Sequence, residues 1–126
     1  MANIIPAIKF ANGDNAQDGW IVAWGPMQNG DVGVTPPNYA PLFVGFADRS
    51  IQVEGTPGAG FGMVWEGSND TVNFHTLKDP FSVLLTWVGA AINEVTEAVV
   101  VARPRVTGGD GTTSITVTAL YRRTKP

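Results

Sequence analysis

The chain has 126 residues, enough for one hydrophobic core and short for two, so residues 1–126 are expected to form a single domain. Apolar residues make up 44% and charged residues 15%, a balance that excludes wholesale disorder. Eight Lys and Arg against eleven Asp and Glu exclude a general polyanion binder, and the lack of cysteine excludes disulfides, thiolate metal sites and cysteine nucleophiles.

Met1-Ala2-Asn3-Ile4-Ile5-Pro6 lacks the basic and long apolar regions of a secretory signal. Nowhere do about 18 apolar residues run together, so no membrane partner is expected. Ile4 to Phe10 reads as a strand, with residues 1–10 as an extended N-terminal strand or arm. Asp14 to Gly19 fails as a calcium loop because Ala16 stands where the third-position ligand belongs. Trp20 to Trp24 alternates, placing Trp20, Val22 and Trp24 on one face. Gln28 to Pro41 carries Gly30, Gly33, Pro36, Pro37 and Pro41, a composition that predicts a long extended loop or arm without ladder pairing. Leu42 to Phe46 and Ser50 to Glu54 are the next strand candidates. Gly55 to Gly62 is glycine-dense, but it has no Lys-Ser/Thr ending and no following helix, so a flexible hairpin loop accounts for it better than phosphate binding.

Phe61 to Glu66 predicts another strand, ended by the turn Gly67-Ser68-Asn69-Asp70. Ser, Asn and Asp side chains hold such turns by bonding the local backbone. The same residues, Glu66, Ser68, Asn69, Asp70 and Asn73, form the candidate ligand loop if the turn binds calcium or sugar. Asn69-Asp70-Thr71 fits the glycosylation sequon, a chance match in the absence of a secretory signal. Val72 to Leu77 and Val83 to Trp87 read as strands, and Gly89 to Val95 as a short helical turn. Val99 to Arg103 is β-rich, and Pro104 predicts an edge position or a bend. Thr107 to Thr112 is a glycine-dense turn, expected to join this strand to the next as a hairpin. Ser114 to Tyr121 alternates cleanly, with Ile115, Val117, Ala119 and Tyr121 on one face. Short strands at this spacing, with fifteen Gly and nine Pro, indicate an all-β sandwich or barrel.

Charge is uneven along the chain. Up to Glu97, Lys9, Arg49 and Lys78 face ten acids; from Ala98 on, Arg103, Arg105, Arg122, Arg123 and Lys125 face Asp110 alone. A basic strand edge and solvated tail, residues 122–126, account for this. A functional role would be docking on an acidic protein surface rather than on nucleic acid, which the remaining acids would repel. His75 is the only histidine, which precludes a histidine metal cluster. No nucleophile-elbow spacing supports a Ser-His-Asp triad. Nothing points to an enzyme, a metal or a cofactor. The four tryptophans lie in or beside strand candidates and are expected in the core.

Val64-Trp65-Glu66-Gly67-Ser68-Asn69-Asp70-Thr71-Val72-Asn73-Phe74-His75-Thr76-Leu77 resembles the EGSNDG-x-NW-x-x-L segment of small structural proteins encoded among the head genes of tailed bacteriophages. Thr76 to Pro80 is similar to their L-x-DP continuation. Ala102 to Val117, containing Arg103-Pro104 and Gly109-Asp110-Gly111-Thr112-Thr113, resembles their RP-x-VT-x-GDGTT-x-x-TV ending. The likeness covers about the C-terminal half, in order and spacing. Thr71 replaces the family's Gly and Phe74 its Trp, both read as conservative for a strand-opening turn.

The resemblance implies a capsid decoration (cement or stapling) protein with a jelly-roll-like antiparallel β-sandwich. Such a protein is made in the host cytoplasm and sits on the outer surface of the virion. There it bridges major capsid protein subunits, often as a dimer or trimer. Expected contact residues are Ile4, Ile5, Ile8 and Phe10, Pro36, Pro37 and Tyr39 of the arm, and Arg122, Arg123 and Lys125. A similar GSND turn occurs in discoidin-like carbohydrate-binding jelly rolls, which makes a carbohydrate- or receptor-binding module the alternative.

Overall fold

A computed structural model describes residues 2–12, 15–34, 48–95, 97 and 99–122. Eleven strands are present among them: β1 (Asn3–Ile4), β2 (Ala7–Asn12), β3 (Asn15–Met27), β4 (Val32–Gly33), β5 (Asp48–Thr56), β6 (Gly62–Ser68), β7 (His75–Thr76), β8 (Thr86–Trp87), β9 (Ala91–Val95), β10 (Val101–Gly108) and β11 (Ser114–Arg122). The first sheet runs β1-β4-β10-β6-β7, with β8 also on β6, and the second runs β2-β3-β11-β5-β9. All pairs are antiparallel except β1 with β4. With β1, β2 and β7 set aside, the orders β4-β10-β6-β8 and β3-β11-β5-β9 are the two interlocked Greek keys of a jelly roll.

The alternation read in Ser114 to Tyr121 is the rule of the core. On β11, Ile115, Val117, Ala119 and Tyr121 are buried; so are Val22, Trp24 and Met27 of β3, and Ile51 and Val53 of β5. The facing sheet contributes Met63 and Trp65 of β6, Trp87 of β8, and Ala102 and Val106 of β10. Side chains of opposite sheets interdigitate in one layer, as a strand's period of two requires. Trp24 and Trp65 meet across it edge to face at 5.7 Å. Trp24 Nε1 donates to the Val34 carbonyl at 2.9 Å, which satisfies its one polar atom.

Several sequence expectations need correction. β10 and β11 are not a hairpin: β10 lies between β4 and β6, and β11 between β3 and β5. The glycine-dense turn crosses from one sheet to the other, and so does the Gly55 to Gly62 loop. The two crossings are fastened together, because Ala59 N donates to Asp110 Oδ2 at 2.8 Å and Thr113 Oγ1 to the Pro57 carbonyl at 2.8 Å. Pro104 sits in an inner strand rather than at an edge. Val106 N donates to the Asp31 carbonyl, so by the same period position 104 faces β4, a strand only two residues long. A Cβ on Gly33 would meet the Pro104 ring at 2.7 Å, so glycine is what admits the ring. Instead of a helical turn, Ala91–Val95 pairs along β5 from Val53↔Ala91 to Arg49↔Val95. Of Val72 to Leu77, only His75–Thr76 is strand.

The N-terminus is no free arm. Chain direction breaks at Ile5 and Pro6, putting Asn3–Ile4 beside β4 and Ala7–Asn12 beside β3. Ile4 and Ile8 lean on the core, and Phe10 packs on Trp20 at 4.8 Å. Ile5 alone of the four proposed contact residues is well exposed.

Candidate functional site

The segments singled out by sequence meet on the outer face of the first sheet. Glu66 belongs to the middle of β6, not to the turn, and its side chain is buried although it points away from the core. Arg103 Nε reaches Glu66 Oε1 at 2.8 Å and Arg105 Nε reaches Oε2 at 3.1 Å. The two arginines share a face of β10 because they are two residues apart. Phe74 lies under the Arg103 guanidinium, 3.6 Å from ring centroid to Cζ, a cation–π contact that orients it. The C-terminal excess of positive charge is therefore partly internal, since two of its five members neutralise one buried carboxylate.

Beyond β6 the turn is tied by Asp70. Its Oδ1 accepts from Ser68 Oγ at 2.7 Å, Val72 N at 2.9 Å and Asn73 N at 2.7 Å, and its Oδ2 accepts from Asn73 Nδ2 at 2.8 Å. These donors, the Asn73 amide foremost, hold the Asp70 carboxyl well below the usual carboxylate range. Asn69 Oδ1 accepts from Val100 N at 3.1 Å. Each polar member of the predicted ligand loop thus has a partner within the chain. Thr71 has φ of +65°, a left-handed conformation that suits glycine and disfavours a β-branched residue. Reading Thr71 as a conservative exchange for the Gly of the resembled segment therefore does not hold.

Beside this turn is an open pocket of about 390 Å³, lined by Ser68, Asn69, Asp70 and Asn73 with His75, Leu77 and Val99 among others. The structure brings Ser68, Asn69, Asp70 and Asn73 together there and leaves Glu66 outside. Among the described residues, no group of three or more His, Cys, Asp or Glu is arranged to hold a metal ion. Trp24, Trp65 and Trp87 are buried and Trp20 half-buried, so they make no sugar-stacking platform. Asp110 repeats the logic of Asp70 at the other end of the sandwich. Bonds from the Thr112 hydroxyl, the Ala59 amide and the Thr112 amide lower its carboxyl to about 2.

Arg122 ends β11 and is exposed. Pro36, Pro37, Tyr39, Arg123 and Lys125 lie outside the described residues, as do most of the predicted loop or arm and the Leu42 to Phe46 candidate. Sequence reasoning missed the turn after β7. There Asp79 Oδ1 accepts from Phe81 N at 2.8 Å and Val83 N at 3.0 Å, and Phe81 is 86% exposed. The Asp79-Pro80 pair was the available signal. No protein-family model, no curated protein and no solved structure matches the chain.

Proposed function

We propose that the chain is a non-enzymatic virion structural protein that decorates the outer surface of a tailed-phage head and stabilises it by bridging major capsid protein subunits. One observation supports this above others. The two segments that resemble phage head proteins, separated in sequence, are hydrogen-bonded neighbours, with β6 and β10 paired from Val101↔Ser68 to Val106↔Met63. The Glu66–Arg103–Arg105 cluster and the Asn69–Val100 bond join residues of one segment to residues of the other or of its flank. The resemblance thus falls on the neighbouring strands β6 and β10 of the first sheet and continues into β11 of the second. On this reading the partners are the major capsid protein and further copies of the chain. Function is multivalent clamping, in which many modest contacts add through effective concentration.

Quantitative mass spectrometry of purified virions tests the proposal. Hundreds of copies in fixed ratio to the major capsid protein are expected, and none would overturn it. The pocket beside Ser68 and His75 favours one second reading, a carbohydrate- or receptor-binding module. Saturable glycan binding that Asn73→Ala and His75→Ala abolish would establish it instead.

A further inference from the structure

Phe81, Val83, Leu84, Val88 and Ile92 are all exposed, and all lie within one stretch of the chain. The most exposed of them, Phe81, is held out by a fastened turn. Asp79 N donates to the Val83 carbonyl at 2.8 Å, Ser82 N to the Asp79 carbonyl at 3.0 Å, and Leu85 N to the Leu77 carbonyl at 2.8 Å. Asp79 Oδ1 takes the Phe81 and Val83 amides, and Ser82 adopts φ of +65° to close the turn. Lys78 and Leu84 bridge its base, and Lys78 N is bound by Glu97 Oε1. An apolar ring on an ordered turn loses little further entropy on insertion, which is what a binding knob requires.

A matching hole lies on the far side of the sandwich. On the outer face of the second sheet, the cross-strand pair Ala7↔Ala23 stands next to Lys9↔Ile21. The two small alanines leave a depression of about 200 Å³, lined by Ala7, Ile8, Lys9, Ile21 and Ala23. The depression is mostly apolar and half open, so it can seat one side of a phenyl ring without enclosing it. The charges also match. Asp79 stands two residues before Phe81, and with its Oδ1 taken by the turn amides its Oδ2 is the oxygen available to the Lys9 ammonium. The knob projects beside β8, on the β9 side of the fold, whereas the hole lies between β2 and β3 at the opposite sheet edge. One chain cannot fill its own hole.

We infer that the chain self-associates head to tail, Phe81 of one copy entering the Ala7–Ala23 depression of a second copy with Asp79 meeting Lys9. Such a heterologous contact closes into a ring or runs on as an open array. The inference specifies the surface for the self-association named above, and it is tested without any capsid, so its failure and the failure of the decoration reading are distinguishable.

The experiment is sedimentation velocity on purified protein over a concentration series, with circular dichroism to verify folding. Wild type is expected to show concentration-dependent species above monomer. Phe81→Ser removes the knob and Ala23→Leu fills the hole, with Ala7→Leu as the substitute if Ala23→Leu fails to fold. Each variant alone is expected to be monomeric. Mixed, they are expected to form a one-to-one dimer, because one retains the hole and the other the knob. A monomeric wild type, a variant that still associates, or a mixture that stays monomeric would each overturn the inference.

Discussion

Glu66 and Arg103 stand directly opposite each other on β6 and β10, and their 2.8 Å contact is completed by Arg105 on the second carboxylate oxygen. The Glu66 side chain is 4% exposed while both arginines keep partial access to water, so the penalties of breaking the cluster are unequal. Arg105→Met leaves Glu66 one partner and is expected to cost about 1 kcal/mol. Arg103→Met removes the stacked, shorter contact and is expected to cost about 2–3 kcal/mol, towards the range for breaking a buried pair. Urea unfolding of the two variants checks the order; equal losses would sink it.

Thr71→Gly is expected to stabilise the protein. A left-handed residue with a side chain costs about 1–2 kcal/mol, and glycine's extra freedom in the unfolded chain returns about 0.5–1 kcal/mol of that. A net gain of about 0.5–1 kcal/mol, read as a raised Tm, is the expected outcome. A lowered Tm would mean that the threonine side chain makes an unrecognised contribution.

Acid sensitivity follows from Asp70 and Asp110. Both carboxyls lie below their ordinary 3.8, Asp110 at about 2 and Asp70 lower. Their contribution is therefore fully present above the unfolded value and is lost as pH falls from 3.8 through about 2 and beyond. Asp70→Asn and Asp110→Asn together should flatten the decline of Tm with pH in that window. An unchanged slope would rule out these groups as its source.

Gly33→Ala places a methyl 2.7 Å from the Pro104 ring and 2.8 Å from Trp24 Cδ1. Neither neighbour is a flexible chain end, so the expected cost is that of overpacking, about 1–3 kcal/mol. Thermal melts of Gly33→Ala alone and with Pro104→Ala test the cause, since the second change is expected to restore part of the loss.

The proposed docking of the basic tail on capsid is testable apart from folding. Replacing Arg122, Arg123 and Lys125 by Gln is expected to leave the free energy of unfolding within about 0.5 kcal/mol of wild type. Occupancy on purified capsids is expected to fall and its dependence on salt to weaken. Unchanged occupancy would remove the tail from the interface. Deleting residues 1–10 is not a clean test of capsid contact, because β1 and β2 belong to the sheets.

The strands were legible where one face is buried. Ile115, Val117, Ala119 and Tyr121 announce β11, and Trp20, Val22 and Trp24 announce part of β3, because alternation is local. Sheet membership was not. A glycine-dense turn such as Thr107 to Thr112 can close a hairpin or cross between sheets, and the choice lies in Asp110 binding Ala59, a partner 51 residues away. Ala91–Val95 is equally at home as a helical turn by composition, and pairing with β5 decides it. Glu66 was grouped with the turn because it adjoins Gly67 and Ser68; its true partners are 37 and 39 residues on. The alternation of Arg103 and Arg105 around Pro104 was the signal that could have placed both on one face.

The first described residues stitch the sandwich shut along one side. Val32 N donates to the Ala2 carbonyl, Val34 N to the Ile4 carbonyl, and Ala2 N to Asp31 Oδ1. A few residues later the same segment is hydrogen-bonded into the other sheet. The segment thus ties one sheet to the other, and cutting it loose costs pairing in both.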